Sequence, residues 1–277
     1  MFFANLCKKI LKMNKQLRTL IMKFGGSSVK EPQNFDQIAK IIKKRSESYH
    51  NIVVVVSAMG NTTDHLLQLA KKVSTNPPQR ELDMLISCGE RISIALLAMA
   101  LDNLGVKAIS FTGSQSGILT TQDHTDALIK DIRPLRIIEA LEKGNICIVA
   151  GFQGVSNREI TTLGRGGSDT TAVALAVALK AEKVEFYKDV KGIFEKDPKK
   201  DNLAKVYEKL SYDQALVIVE KGEVLHKRAV QLAKKNQVYL QLLSFEEFDN
   251  QNIENLGTKI GDCSKEILQK EFEVCPS

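Results

Sequence analysis

Residues 19–73 read TLIMKFGGSSVKEPQNFDQIAKIIKKRSESYHNIVVVVSAMGNTTDHLLQLAKKV, and their alternation decides the fold. Thr19–Phe24 is an apolar run that ends at Gly25-Gly26. Over residues 33–49, Phe35, Ile38, Ile41 and Ile42 recur at the spacing of one helix face. Residues 52–56 are apolar without alternation, which suits a strand buried on both faces. After the turn-rich residues 57–63, residues 64–73 return to helical spacing. Strands alternating with helices predict an α/β fold, a mainly parallel sheet with helices on both faces.

The pattern continues outward. Pro77-Pro78 breaks it, and residues 80–104 form a long apolar helix candidate interrupted at Gly89. Residues 106–111 and Ile146–Ala150 read as strands, with a short helix over 133–143 between them. Residues 166–179 are an Ala-rich helix, and residues 184–188, Val206 and residues 237–242 supply further strands. Residues 1–18 read as a basic extension, 19–261 as the folded domain, and 262–277 as a polar, frayed tail.

A chain of 277 residues with 43% apolar content can bury one large α/β domain or two closely joined lobes. Tryptophan is absent, so the core rests on Val, Ile, Leu and Ala. Of the net charge of +6, Lys8, Lys9, Lys12, Lys15 and Arg18 carry nearly all, in a stretch without acids. The folded part is therefore close to neutral, which excludes the basic face that nucleic-acid binding requires. The N-terminal residues place bases after apolar residues, the wrong order for a secretory signal. Met13 and Met22 offer later start sites. No run of about 18 apolar residues occurs, so no membrane span is expected. Five scattered cysteines without a C-x-x-C pair suit reduced thiols of a cytoplasmic protein, with Cys88 as small buried filler.

Four stretches can carry chemistry. Lys23-Phe24-Gly25-Gly26-Ser27-Ser28 follows a strand, and its glycines let backbone amides approach an anion at the start of the next helix. The same residues also suit a plain tight turn. Ser57 to Asp64 follows the most apolar strand, where ligands of doubly wound sheets bind. Its hydroxyls equally suit a helix cap. In Thr161-Thr162-Leu163-Gly164-Arg165-Gly166-Gly167-Ser168-Asp169, an arginine among glycines ahead of a helix can fork onto a carboxylate while amides face an anion. By its residues alone, the Tyr187 to Lys199 stretch reads as a solvated connection.

Taken in order, KFGGSSV, VVVVSAMGNTTD, SCGERIS, VAGFQGV and TTLGRGGSDTTAVALA resemble the successive signatures of the aspartate kinases, within the amino-acid kinase superfamily. The resemblance runs from about Met22 to Ile260. It implies a carbamate-kinase-like three-layer sandwich, with an N-lobe for L-aspartate and a C-lobe for ATP. Sister kinases acting on glutamate, acetylglutamate, carbamate or UMP share that fold with different motifs.

The resemblance implies that Lys23, Gly25, Gly26 and Ser27 contact the ATP phosphates. It implies that Glu90 binds the α-ammonium of aspartate and that Arg165 holds a substrate carboxylate beside Gly166, Gly167 and Ser168. Ser57 and Thr63 match substrate-loop positions, and Asp169 orients Lys23. Lys188, Asp189, Phe194 and Lys199 fall on nucleotide-side positions. The carboxylate nucleophile is already ionised at neutral pH, with an unperturbed pKa of about 4, so no general base is required. Catalysis then rests on positioning and charge neutralisation, with Mg²⁺ expected through the ATP phosphates and no protein metal site. His65, His124 and His226 accordingly read as structural.

Departures cluster in the nucleotide half. Lys188-Asp189 stands where the family has Thr-Asp, Phe194 where it has tyrosine, and Lys199 where it has arginine. Glu223-Val224-Leu225-His226-Lys227 replaces Lys-Val-Leu-His-Pro, and either Lys188 or Lys227 is expected to compensate. The resemblance implies that ACT domains usually follow, and none is expected in the residues after Ile260. The expectations are no inhibition by lysine or threonine within this chain, and room for a homodimer or a separate regulatory chain. The alternatives are a catalytically weak aspartate-binding subunit and a sister kinase for another carboxylate.

Overall fold

The computed structural model describes residues 18–196, 203–220, 224–246, 253–262 and 271–274. Its first elements are β1 (Thr19–Phe24), α1 (Asn34–Arg45), β2 (Asn51–Val56) and α2 (Thr62–Val73), as residues 19–73 predict. Then come α3 (Gln79–Ile86), α4 (Cys88–Asn103), β3 (Ala108–Phe111), β4 (Ile118–Thr120), β5 (Ile129–Ile132), α5 (Leu135–Glu142), β6 (Ile146–Ala150), β7 (Gln153–Ser156) and β8 (Glu159–Thr162). The rest comprises α6 (Gly167–Leu179), β9 (Lys183–Lys188), β10 (Lys209–Leu210), α7 (Tyr212–Val219), α8 (Lys227–Asn236), β11 (Tyr239–Ser244) and β12 (Thr258–Ile260).

An eight-stranded sheet runs β10-β12-β11-β9-β1-β2-β6-β3. Among the described residues every pairing in it is parallel except β11 with β12. β1 is buried throughout and β2 nearly so, which explains their unbroken apolar sequence. Ile21, Val53, Val55, Val149 and Phe186 face a core shared with α5, α6, α7 and α8. Leu20, Met22, Phe24, Val54, Val56 and Ile148 face the core beneath α1 and α4. Helix, sheet and helix make the expected three layers.

Several elements differ from the sequence reading. A second, four-stranded sheet runs β5-β4-β7-β8. Its strands are too short and too mixed in polarity to announce themselves. The break in the long apolar helix falls at Ser87, just before Gly89. Helix α7 carries a capping box between Ser211 and Gln214, a signature present in the sequence and not read. Val206 forms an isolated bridge with Phe194 rather than a strand. Within the stretch read as a tail, Phe272 packs on the core and Glu273 donates its amide to the Ile129 carbonyl at 3.0 Å.

Taken together, Gln79–Asn103 is long and apolar enough, by length and composition, to cross a membrane, although its sequence holds no unbroken apolar run of that length. Half of its apolar window is buried inside the fold, and it bears the buried acids Asp83 and Glu90. It serves this fold as a core element.

Candidate active site

The strand ends and helix starts converge on one cleft. Between β8 and α6, Gly164 (φ 69°) and Gly166 (φ 72°) adopt the left-handed conformation. A Cβ on Gly166 would sit 1.9 Å from His226 Cγ, so both conformation and space require glycine there. The turn delivers Gly167 as the first residue of α6, and the positive end of that helix faces the cleft through Gly166, Gly167 and Ser168. Arg165 is exposed beside it, with no ion pair or hydrogen bond among the described residues.

Across the cleft, α4 approaches the loop after β2 so closely that a Cβ on Gly89 would lie 2.7 Å from Ala58 Cβ. That contact lets the Ala58 amide donate to Glu90 Oε1 at 3.1 Å. Glu90 Oε2 is buried with no hydrogen-bond partner among the described residues. Burial raises the Glu90 carboxyl to about 7, against the pull of its own and the Ala58 amide. A buried carboxylate with a bare oxygen is built to receive a cation.

Gly26, Ser57, Thr63, Glu90, Arg165 and Ser168 line the same space of about 480 Å³, together with Gly166 and Gly167. Ser57 Oγ and Ser168 Oγ stand 2.8 Å apart and join the two loops. The expected substrate-side residues are thus gathered.

The anion side adjoins them. Lys23, 3% exposed on β1, places Nζ 2.6 Å from Asp169 Oδ1 in the first turn of α6. Lys188 Nζ lies 3.7 Å from Asp169 Oδ2, and the His226 amide donates to that oxygen at 3.3 Å. Burial alone would raise Asp169, but Lys23 and then Lys188 outweigh it and hold the carboxyl at about 2. Burial lowers the Lys23 ammonium to about 8, opposed by Asp169 and reinforced by Lys188.

The glycine loop differs from expectation in one respect. No helix begins at Gly25-Gly26; turns fill the chain until α1 starts at Asn34. The helix N-terminus at this site is that of α6 instead. The loop is fixed from below, where Ser28 Oγ donates to the Tyr187 carbonyl at 3.1 Å and the Phe24 and Tyr187 rings stack at 4.7 Å. The Gly60 amide donates to the Gly26 carbonyl at 3.1 Å, and Ser27 is exposed. Of the remaining nucleotide-side positions, Asp189 is exposed and Phe194 half-buried, while Lys199 and Glu223 lie outside the described residues.

The sequence model of the amino acid kinase family matches residues 18–244. The chain belongs to the amino acid kinase family. The aspartokinase of Geobacillus stearothermophilus is 51% identical to it over 227 residues, 81% of this chain and 56% of that protein. The chain spans about half the length of the curated relatives it matches. The crystal structure of aspartate kinase from Synechocystis superposes with a TM-score of 0.77 at 40% identity, covering 90% of this chain and 40% of that one. E. coli aspartokinase III in complex with aspartate and ADP superposes with a TM-score of 0.78 over 90% of this chain and 65% of that one. Its 24% identity speaks to the fold alone.

In this member of the amino acid kinase family the sequence reading missed one wall of the cleft. Thr125 (φ 71°) and Phe152 (φ 67°) line it in left-handed conformations that cost a non-glycine residue free energy. Thr125 is held by Asp83, which is fully buried on α3. Its carboxylate accepts from the Thr125 amide at 3.1 and 3.2 Å, from Thr162 Oγ1 at 2.5 Å, and meets His124 Nδ1 at 2.6 Å. The partners lie 41 and 79 residues apart, and nothing local marks them. Cys88 also corrects expectation: it is exposed, whereas Cys147 is buried and its thiol pushed up to about 12. Among the described residues, no three His, Cys, Asp or Glu side chains gather as metal ligands.

Proposed function

We propose that this kinase transfers the γ-phosphoryl group of ATP to the side-chain carboxylate of L-aspartate, giving 4-phospho-L-aspartate and ADP. One observation carries the reading: a buried carboxylate with a bare oxygen, Glu90, shares a cleft with an unpaired guanidinium, Arg165, beside the buried Lys23–Asp169 pair. A small molecule with one cationic and two anionic ends suits that arrangement. Similarity to named aspartokinases at about half identity supports the same substrate.

The roles follow from charge. Glu90 receives the α-ammonium and Arg165 grips a carboxylate of aspartate, with Ser57, Thr63, Gly166, Gly167 and Ser168 completing the cradle. Lys23, Gly25, Gly26 and Ser27 face the phosphates, with Lys188, Asp189, Phe194 and Lys199 on the nucleotide side. An aspartate side-chain oxygen attacks the γ-phosphorus, the bond to the β–γ bridging oxygen breaks, and ADP leaves with that electron pair. No proton has to move, so no base is needed. Asp169 keeps Lys23 charged and aimed. Mg²⁺, where bound to the phosphates, would neutralise part of their charge.

The reaction opens the aspartate-derived branch of amino-acid biosynthesis, and a cytoplasmic location accompanies it. A coupled assay of ADP release with L-aspartate, L-glutamate and N-acetylglutamate tests the reading. Turnover with aspartate well above both others is expected. Equal rates with and without aspartate, or preference for another acceptor, would overturn it.

A further inference from the structure

The register of β1 against β9 sets Lys23 opposite Phe186. Because side chains alternate along a strand, Lys188 falls on the same face as Phe186, one step further toward the carboxyl end. Phe186 belongs to the core shared with α6. Lys23 and Lys188 therefore emerge side by side beneath the first turn of α6, and Asp169 descends between them.

The cluster is lopsided. Asp169 makes its short contact with Lys23 at 2.6 Å, while its contact with Lys188 is 3.7 Å, too long for a hydrogen bond. The Lys188 side chain is 14% exposed, and among the described residues its ammonium has no closer acceptor. Two ammonium groups around one carboxylate leave a positive charge with donors unused. Both groups overhang Gly25, where an added Cβ would lie 3.5 Å from Lys23 Nζ and 4.0 Å from Lys188 Nζ. The other sequence candidate, Lys227, turns away and pairs with Glu220.

We propose that Lys188 is a second phosphate-directed cation of this site, placed with Lys23 to hold the terminal phosphates of a nucleoside triphosphate over Gly25; this rests on the phosphotransferase reading above. A strand residue thereby supplies the charge that the Glu223 to Lys227 segment does not. Asp169 offsets the mutual repulsion of the two ammonium groups and so keeps both charged on one face.

The test is calorimetric titration of ATP and of AMP into the full chain and its Lys188→Met, Lys188→Gln and Lys188→Arg variants, each confirmed folded by thermal melt. Lys188→Met and Lys188→Gln are expected to weaken ATP binding about 10- to 100-fold, as loss of a charge-assisted contact does. AMP, which lacks the β- and γ-phosphates, should change less than twofold, and Lys188→Arg should recover most of the ATP affinity. Aspartate titrations should stay within twofold throughout. Unchanged ATP affinity in Lys188→Met, or equal losses for ATP and AMP, overturns the inference alone. A wild-type chain that binds no ATP sinks the phosphotransferase reading and this inference with it.

Discussion

Two charge clusters lie back to back across the β1–β9 strand pair, and they are finished differently. On the α1 side, Arg45 clasps Glu185 through two contacts of 2.5 and 3.1 Å, and Tyr187 donates to the same carboxylate at 2.8 Å. Lys183 reaches Glu185 at 3.1 Å and Gln241 at 2.8 Å, and Gln241 passes its own donors to the carbonyls of Ile253 and Leu256. Arg45 also lies over the Tyr49 ring at 4.9 Å. On the α6 side, Asp169 has Lys23 close and Lys188 at arm's length, and the bare oxygen of Glu90 and unpaired Arg165 stand nearby. Both clusters place more than one cation around one acid. The first answers each charge with neutral acceptors and an aromatic face; the second leaves donors and an acceptor open toward a cleft. A network closed on itself stabilises, whereas an open one awaits a ligand.

Removing the acid of the closed cluster gives the largest expected effect. Glu185→Ala removes the acid that Arg45 and Lys183 share in the core and should cost about 3–5 kcal/mol of stability in urea unfolding. Lys188→Met, from the open cluster, should stay within about 1 kcal/mol of wild type. Equal losses would erase the contrast.

Function should divide the other way. Lys23→Ala is expected to lower kcat about 10²- to 10³-fold, the scale of removing one preorganised electrostatic group, with aspartate affinity by calorimetry kept within twofold. Arg165→Ala should weaken aspartate binding by about 2–4 kcal/mol, read as a rise in KM for aspartate with KM for ATP little moved. Reversal of the two results would mean that the open cluster is divided wrongly between substrates.

How much of this was legible follows from where each signal resides. Continuous apolar runs such as 52–56 announce strands covered on both faces, and the main sheet was read from them. The short strands of the second sheet, from Ile118–Thr120 to Glu159–Thr162, mix buried and polar positions and carry no period. Glu90 and Arg165 were found because family signatures hold them in fixed strings. Lys188 stood out as a departure, but only the β1–β9 register could set it apart from Lys227. Asp83, His124 and Thr125 escaped because their association is made by tertiary packing and by a left-handed threonine that no local rule foretells.

Titration sharpens the contrast further. Glu90, raised to about 7 by burial, is protonated below that pH and cannot pair with an ammonium. Aspartate affinity is therefore expected to fall as pH drops from 8 to 6, approaching tenfold per unit at the acid end. Glu90→Gln should bind weakly and flatten that limb. Lys23, lowered to about 8 by burial, loses its charge above that value, so turnover should decline on the alkaline side. Aspartate calorimetry and steady-state turnover, both run across pH 6–9, separate the limbs, because only the acid one depends on Glu90. A flat aspartate profile through pH 7 would show that Glu90 does not meet the ammonium.

The smallest effect concerns the wall that the sequence did not reveal. Asp83 uses both oxygens, so Asp83→Asn keeps the shape but exchanges one acceptor for a donor facing groups that already donate. One or two hydrogen bonds are lost, at about 1–2 kcal/mol of stability. The freed Thr125 amide then has less to hold its left-handed backbone against relaxation. Thr125 leaving the wall should raise the KM for aspartate about 3- to 10-fold, with ATP affinity unmoved because neither Lys23 nor Lys188 lines the space that Thr125 walls. Adding Thr125→Gly, which adopts that conformation without strain, should recover part of the lost aspartate affinity. A purely structural network would lower stability in Asp83→Asn without moving aspartate against ATP, and the glycine would then rescue nothing.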